Sequence, residues 1–144
     1  MAYQQGKIYE IVSGGKRYIG STTEKRLERR LQKHIYNKRA FEKGNREWTS
    51  SYELIDKPDC QINLLELYPC NNRLELRERE KHYITTLQCI NKVIPNQTMD
   101  EWRERNKDKV KEHYERRKVK VKCECGKEIT KSNMWRHLKT HATA

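Results

Sequence analysis

The stretch Lys7-Ile8-Tyr9-Glu10-Ile11-Val12-Ser13-Gly14-Gly15-Lys16-Arg17-Tyr18-Ile19-Gly20 decides the fold. Two apolar-bearing runs, 7–12 and 16–20, flank Ser13-Gly14-Gly15. Glycine takes positive φ without steric cost, so Gly14-Gly15 predicts a two-residue hairpin turn. That turn pairs Ser13 with Lys16, and therefore Ile11 with Tyr18. Tyr9 and Tyr18 then share one sheet face as diagonal neighbours, roughly 7–8 Å apart. A slip of one residue would send them to opposite faces, so the register has chemical consequences.

Outward from the hairpin, Leu27, Leu31 and Ile35 recur every four residues and predict a helix over 24–43. Arg26, Arg30 and His34 form an adjacent stripe at the border of its buried face. A short helix over 49–55 stops before Pro58, and residues 60–68 read as a third strand. A second long helix covers 72–87, and Cys89-Ile90-Asn91 returns to extended chain. This order predicts an α+β fold: a small three-stranded sheet, mixed or antiparallel, flanked by helices. Beyond it, ten Lys/Arg face five acids between Glu101 and Lys122. The expected organisation is a domain over 1–95, a charged helical linker over 96–121, and a Cys/His-bearing mini-domain over 122–144.

The chain has 144 residues, 34% hydrophobic and 36% charged, which leaves a small core. Its net charge of +12 attracts polyanions, nucleic acid before an anionic membrane. No apolar run approaches the roughly 20 residues that span a bilayer, and the N-terminus lacks a basic-then-apolar leader pattern. Three of the five cysteines, Cys60, Cys70 and Cys89, are scattered singly, which disfavours a secreted disulfide scaffold. The expectation is an intracellular protein, of cytoplasm or nucleus, that handles nucleic acid.

Glu80 is the most telling residue. It falls on the inward stripe Leu76, Glu80, Tyr83, Ile84 and Leu87, where a hydrophobe is expected. A buried carboxylate calls for a cation, a metal or a hydrogen-bond donor; a surface pair with Arg77 or Lys81 on a slightly rotated helix is the plainer reading. Arg30 and His34, four apart, can face one phosphate together, the first as a planar donor fork and the second as a proton donor or acceptor. Nine Lys/Arg against three acids over 24–46 also describe a helix that attracts nucleic acid by bulk charge alone. Lys7, Arg26, Arg29 and Lys33 are the candidate phosphate contacts of this region.

Lys7-Ile8-Tyr9 followed by Tyr18-Ile19-Gly20 resembles the two-part signature of the GIY-YIG nuclease superfamily. The remaining pattern follows in order with Leu27, Arg30 and His34, then Glu80 ahead of Tyr83-Ile84, then Asn91. Three departures stand out. Lys7 replaces the first glycine, with Gly6 one place early; only eight residues separate the tyrosines, a shorter gap than usual; and Ser21 stands where some members carry lysine. The resemblance spans about residues 6–95 and implies metal-dependent phosphodiester hydrolysis. In it Glu80 would hold Mg²⁺ or Mn²⁺, Arg30 would neutralise charge growing on the phosphate, and Tyr9 or Tyr18 would orient the water, with Tyr9 favoured. His34 would accept the tyrosine proton, and Asn91 would fix local backbone or phosphate geometry.

Cys123-Glu124-Cys125, His137 and His141 have the makings of a tetrahedral Cys₂His₂ zinc site. The two histidines lie one helical turn apart on a helix beginning near Ser132, and the close cysteine pair demands a tight knuckle at Gly126. Ile129 and Leu138 would give it a minimal core. Lys131, Trp135, Arg136 and Lys139 make its surface basic, suited to phosphate. Together these features predict a DNA endonuclease of the homing, mobile-element or viral type that uses its finger as an anchor, and that needs two copies to cut both strands at once. Two alternatives stay open: a structure-specific repair nuclease, told apart by cleavage that tracks branches, and a non-catalytic zinc-finger binder, told apart by inertness with metal.

Overall fold

The computed structural model describes residues 2–142; Met1 and the last two residues of the 122–144 segment lie outside the described part. Strands β1 (Lys7–Ser13) and β2 (Lys16–Thr22) form the hairpin, with Gly14 and Gly15 at φ +54° and +72°. Both signs are what a tight primed turn requires. The register is the expected one, Ile11 opposite Tyr18 and Tyr9 opposite Gly20. Asp59 locks the turn from outside: it accepts from the Ser13 hydroxyl at 2.5 Å and the Gly14 N–H at 2.7 Å. Those bonds hold its carboxyl below the usual carboxylate range.

Strand β3 (Gln61–Leu67) pairs with the other edge of β1, so the order is β2-β1-β3 and every pairing is antiparallel. The fold is α+β, and the mixed option for the sheet is removed. Helix α1 (Leu27–Glu42) packs Leu27, Leu31 and Ile35 against the face bearing Tyr9, Ile11 and Tyr18. Helix α2 (Arg73–Thr86) packs Leu76 and Ile84 against Ile8 and Ile19 on the opposite face. One hairpin thus carries two cores, because side chains alternate across a strand. The Asn72 side chain caps α2 by accepting from the Glu75 N–H at 3.0 Å.

Several boundaries differ from the expectation. Helix α1 starts at Leu27, not near 24, because β2 runs on to Thr22, whose hydroxyl accepts the Glu24 N–H at 3.0 Å, and Arg26 is still extended. The short helix over 49–55 is a 3₁₀ turn at Ser50–Glu53. Cys89-Ile90-Asn91 adds no strand; it docks on the outer edge of β2 through one backbone bond, Ile90 N–H to Arg17 O at 2.8 Å, and through the Asn91 side chain.

The chain divides into two units, one ending at Asn96 and the other beginning at Gln97. In the second, α3 (Met99–Arg105) opens with a Thr98–Glu101 capping box and breaks at Asn106 before α4 (Lys107–Lys118). Strands β4 (Lys120–Lys122) and β5 (Glu128–Thr130) pair antiparallel, a 3₁₀ turn covers Lys131–Asn133, and α5 (Met134–Ala142) closes the described chain. That last helix begins two residues later than expected. Among the described residues no helix is long and apolar enough to cross a membrane.

Candidate active site and metal cluster

The hairpin register brings Tyr9 under α1. Tyr9 is fully buried, and its hydroxyl lies 2.7 Å from His34 Nε2 while accepting from Arg30 Nε at 2.9 Å. One helical turn separates Arg30 from His34, so both side chains descend on the same phenol. The imidazole sits edge-on to both tyrosines, with ring centroids 6.0 Å from Tyr9 and 5.6 Å from Tyr18. The glycine opposite Tyr9 is obligatory: a methyl at Gly20 would lie 2.4 Å from the Tyr9 oxygen. Gly6, the displaced first glycine, is confined by backbone, since its methyl would lie 2.2 Å from the Tyr68 carbonyl. That close approach requires glycine at position 6.

Burial pushes the Tyr9 phenol up to about 12, with Arg30 opposing, and raises Tyr18 as well, helped by the Tyr9 and Glu80 charges. Burial works against the Arg30 charge, yet Tyr9, Tyr18 and Glu80 hold the guanidinium above its ordinary value. Burial and then Arg30 push His34 down to about 3. The imidazole is therefore neutral in the working range. Its Nδ1 lies 3.0 Å from the Ser51 hydroxyl. With the Nδ1 proton given to Ser51, Nε2 is left as the acceptor for the Tyr9 proton. Sequence reasoning missed Ser51: nothing local marks it, and only the chain crossing puts it beneath the ring.

The neutral state has a measurable consequence for stability. The unfolded imidazole titrates near 6.5 and the folded one near 3, so the unfolded chain binds the proton first as pH falls. Stability is then lost below the unfolded value, by about 2 kcal/mol on going from about pH 7 to pH 5. Urea midpoints of the wild type and His34→Gln should converge over that range. Parallel pH dependence of the two would refute the buried neutral imidazole.

Glu80 comes from α2, on the Ile8 and Ile19 face of the sheet, and its charge is felt at Tyr9, Tyr18 and Arg30. Its Oε2 accepts from the Ser21 hydroxyl at 2.5 Å. Burial raises its pKa, while Ser21, Arg30 and Arg77 pull it back. Ser21, at the position where some members carry lysine, holds the carboxylate. Asn91 brackets Ile19, accepting the Ile19 N–H at 2.8 Å and donating to its carbonyl at 2.7 Å. Both ends of its amide are used on backbone beside the site. Lys7 points elsewhere, donating to the carbonyls of Gln5 and Glu24 at 3.0 Å each. Arg26 and Arg29 are exposed, and Lys33 pairs with Glu24.

In the second unit the four predicted ligands converge: their donor atoms all lie within 4.8 Å of one another. Cys125 Sγ is 3.2 Å from His137 Nε2, Cys123 Sγ is 3.8 Å from His141 Nε2, and the two Nε2 atoms are 2.9 Å apart. These edges suit a tetrahedron with metal–ligand bonds of about 2.0–2.3 Å. The knuckle closes by Gly126 N–H to Cys123 O at 2.8 Å, with Gly126 at φ +88°. Leu138, expected in a minimal core, is half exposed, so little apolar burial supports this segment. Lys131 and Arg136 are exposed, and the Lys139 ammonium lies 4.7 Å from the Trp135 ring centroid.

Residues 5–93 match the GIY-YIG catalytic domain. No curated protein and no solved structure matches the chain.

Proposed function

Because the chain belongs to the GIY-YIG family, a family of nucleases, we propose that it is a metal-dependent DNA endonuclease of the homing or mobile-element type, with a zinc finger as its anchor. The observation that carries the catalytic reading is the Tyr9 hydroxyl held between Arg30 and His34.

A phenol near 12 is not ionised at neutral pH, so Tyr9 works as a relay. It takes a proton from the attacking water as it passes its own proton to His34 Nε2, so the phenol ends neutral and the imidazole carries the proton. Arg30 donates to the phenol oxygen, which turns the Tyr9 proton toward Nε2, and Ser51 takes up the Nδ1 proton. Burial and Arg30 are what depress His34, and a phosphodiester anion on Arg30 offsets the second of these. The histidine therefore becomes a better base when substrate is in place. Arg30 sits where it can serve the phenol and the charge growing on the phosphate oxygens. The desolvated Glu80 carboxylate, an oxygen-only donor, fits Mg²⁺ or Mn²⁺. Such a cation, when bound, supplies Lewis-acid stabilisation of the phosphate and the leaving oxygen. Cys123, Cys125, His137 and His141 would hold zinc, and Lys131, Arg136 and Lys139 would meet phosphates, as would Arg26, Arg29 and Lys33 on the catalytic module. One centre per chain cuts one strand, so a double-strand break calls for a homodimer or two successive events. The reading is of a phage- or virus-borne enzyme acting inside a cell.

The test is cleavage of supercoiled plasmid and of a branched oligonucleotide, with Mg²⁺ or EDTA. Sequence-specific cuts in intact duplex support the homing type, and cuts that follow the branch replace it with a structure-specific one. Arg30→Lys should lower kcat by about 10²–10³, since a point charge cannot donate both to the phenol and to phosphate as a guanidinium does. A variant within threefold of wild type would remove Arg30 from the reaction.

A further inference from the structure

Among the described residues, the sheet order leaves the outer edge of β2 without a strand partner. Residues 90–91 cover it only along Arg17–Ile19, through the Ile90 backbone bond and the Asn91 clasp. Past Ile19 the edge reaches Gly20, against which the Tyr9 hydroxyl rests, and Ser21, which holds Glu80. The residue that follows the clasp is Lys92. Its N–H donates to the Ser50 hydroxyl at 3.1 Å, in the turn whose next residue, Ser51, steadies His34. The Lys92 ammonium lies 4.1 Å from the centroid of the Trp48 ring, and that indole is 40% exposed.

The lysine over this indole follows Asn91 directly and bonds the residue before Ser51, so the pair is tied to segments that also hold the reaction centre. The indole keeps open surface, and its lysine leads straight from the Asn91 clasp beside a site that must receive a polyanion. Aromatic faces stack on any base, and a cation beside them pairs with phosphate. We propose that Trp48 and Lys92 form a nucleotide subsite next to the reaction centre. The exposed indole stacks on a base that is unpaired beside the scissile phosphate, and Lys92 pairs with an adjacent phosphate. The inference rests on the nuclease reading and deepens it, because it says where the strand enters.

Trp48→Ala should raise KM for plasmid cleavage about tenfold with kcat within twofold, and Trp48→Phe should recover most of the loss. Binding is read separately in EDTA. In the Trp102→Phe/Trp135→Phe double variant of the full chain, Trp48 is the only indole. A single-stranded oligonucleotide should quench its fluorescence saturably, and an abasic strand of equal length should quench it several-fold less. Lys92→Gln should lower the slope of log affinity against log salt by roughly 0.7. Equal quenching by the abasic strand, an indole blind to strand whose binding anisotropy registers, or a fall in kcat at constant KM would each overturn the subsite. If the wild type binds and quenches but never cleaves, the subsite stands and only the catalytic reading falls.

Discussion

Glu80→Gln is expected to lower the turnover of DNA cleavage roughly a thousandfold while leaving DNA affinity within a few-fold of wild type. Glutamine matches the shape of the carboxylate and can still accept from Ser21, so the packing at 2.5 Å from that hydroxyl is retained. What it removes is the negative charge that a divalent cation needs. The effect on stability should run the other way. Burial holds the folded pKa of Glu80 above its ordinary value, so its ionised form takes stability away as pH rises past the usual carboxylate range. Measured in EDTA near neutral pH, Glu80→Gln should therefore be at least as stable as the wild type. Loss of activity with no loss of stability is the signature of a charge kept for function. A glutamine variant that cleaves within tenfold of wild type would take Glu80 out of the mechanism.

Removing metal from the Cys/His cluster should unfold the tail. A segment with Leu138 half exposed and only short strands β4 and β5 cannot be held by apolar burial. Structural zinc supplies about 10–16 kcal/mol of apparent binding free energy in such modules, which is then folding free energy. Chelation of the full chain, or Cys125→Ser, should collapse the amide dispersion of residues 120–141 while leaving the signals of residues 7–91 in place. DNA affinity should fall, and the loss should be largest at low salt, where the finger's phosphate contacts contribute most. A tail that keeps its dispersion without metal would show that the four donors are held by packing alone.

How much of this was legible beforehand follows from which interactions are local. The Gly14-Gly15 turn sets the register of the hairpin, because a primed turn leaves one pairing, and that pairing puts Tyr9 and Tyr18 on one face. The four-residue spacing of Leu27, Leu31 and Ile35 located α1 and, with it, the side on which Arg30 and His34 stand. Helix ends were less legible. Thr22 decides where β2 stops and α1 begins by accepting the Glu24 N–H, a side-chain bond that periodicity does not register.

The chain alone settled the hairpin, the helix faces, the positive charge and the close spacing of two thiols and two imidazoles, since each depends on neighbours a few residues apart. Tertiary structure alone decided that Ser51 meets Nδ1 of His34, that Ser21 grips Glu80, and that Gly20 makes room for a phenol from the facing strand. It also placed Trp48 beside Lys92. These pairs meet across 11 to 59 residues, and the burial that moves Tyr9 toward about 12 and His34 toward about 3 exists only once the two faces of the sheet are covered. Desolvation is a property of the packed whole, and no stretch of sequence carries it.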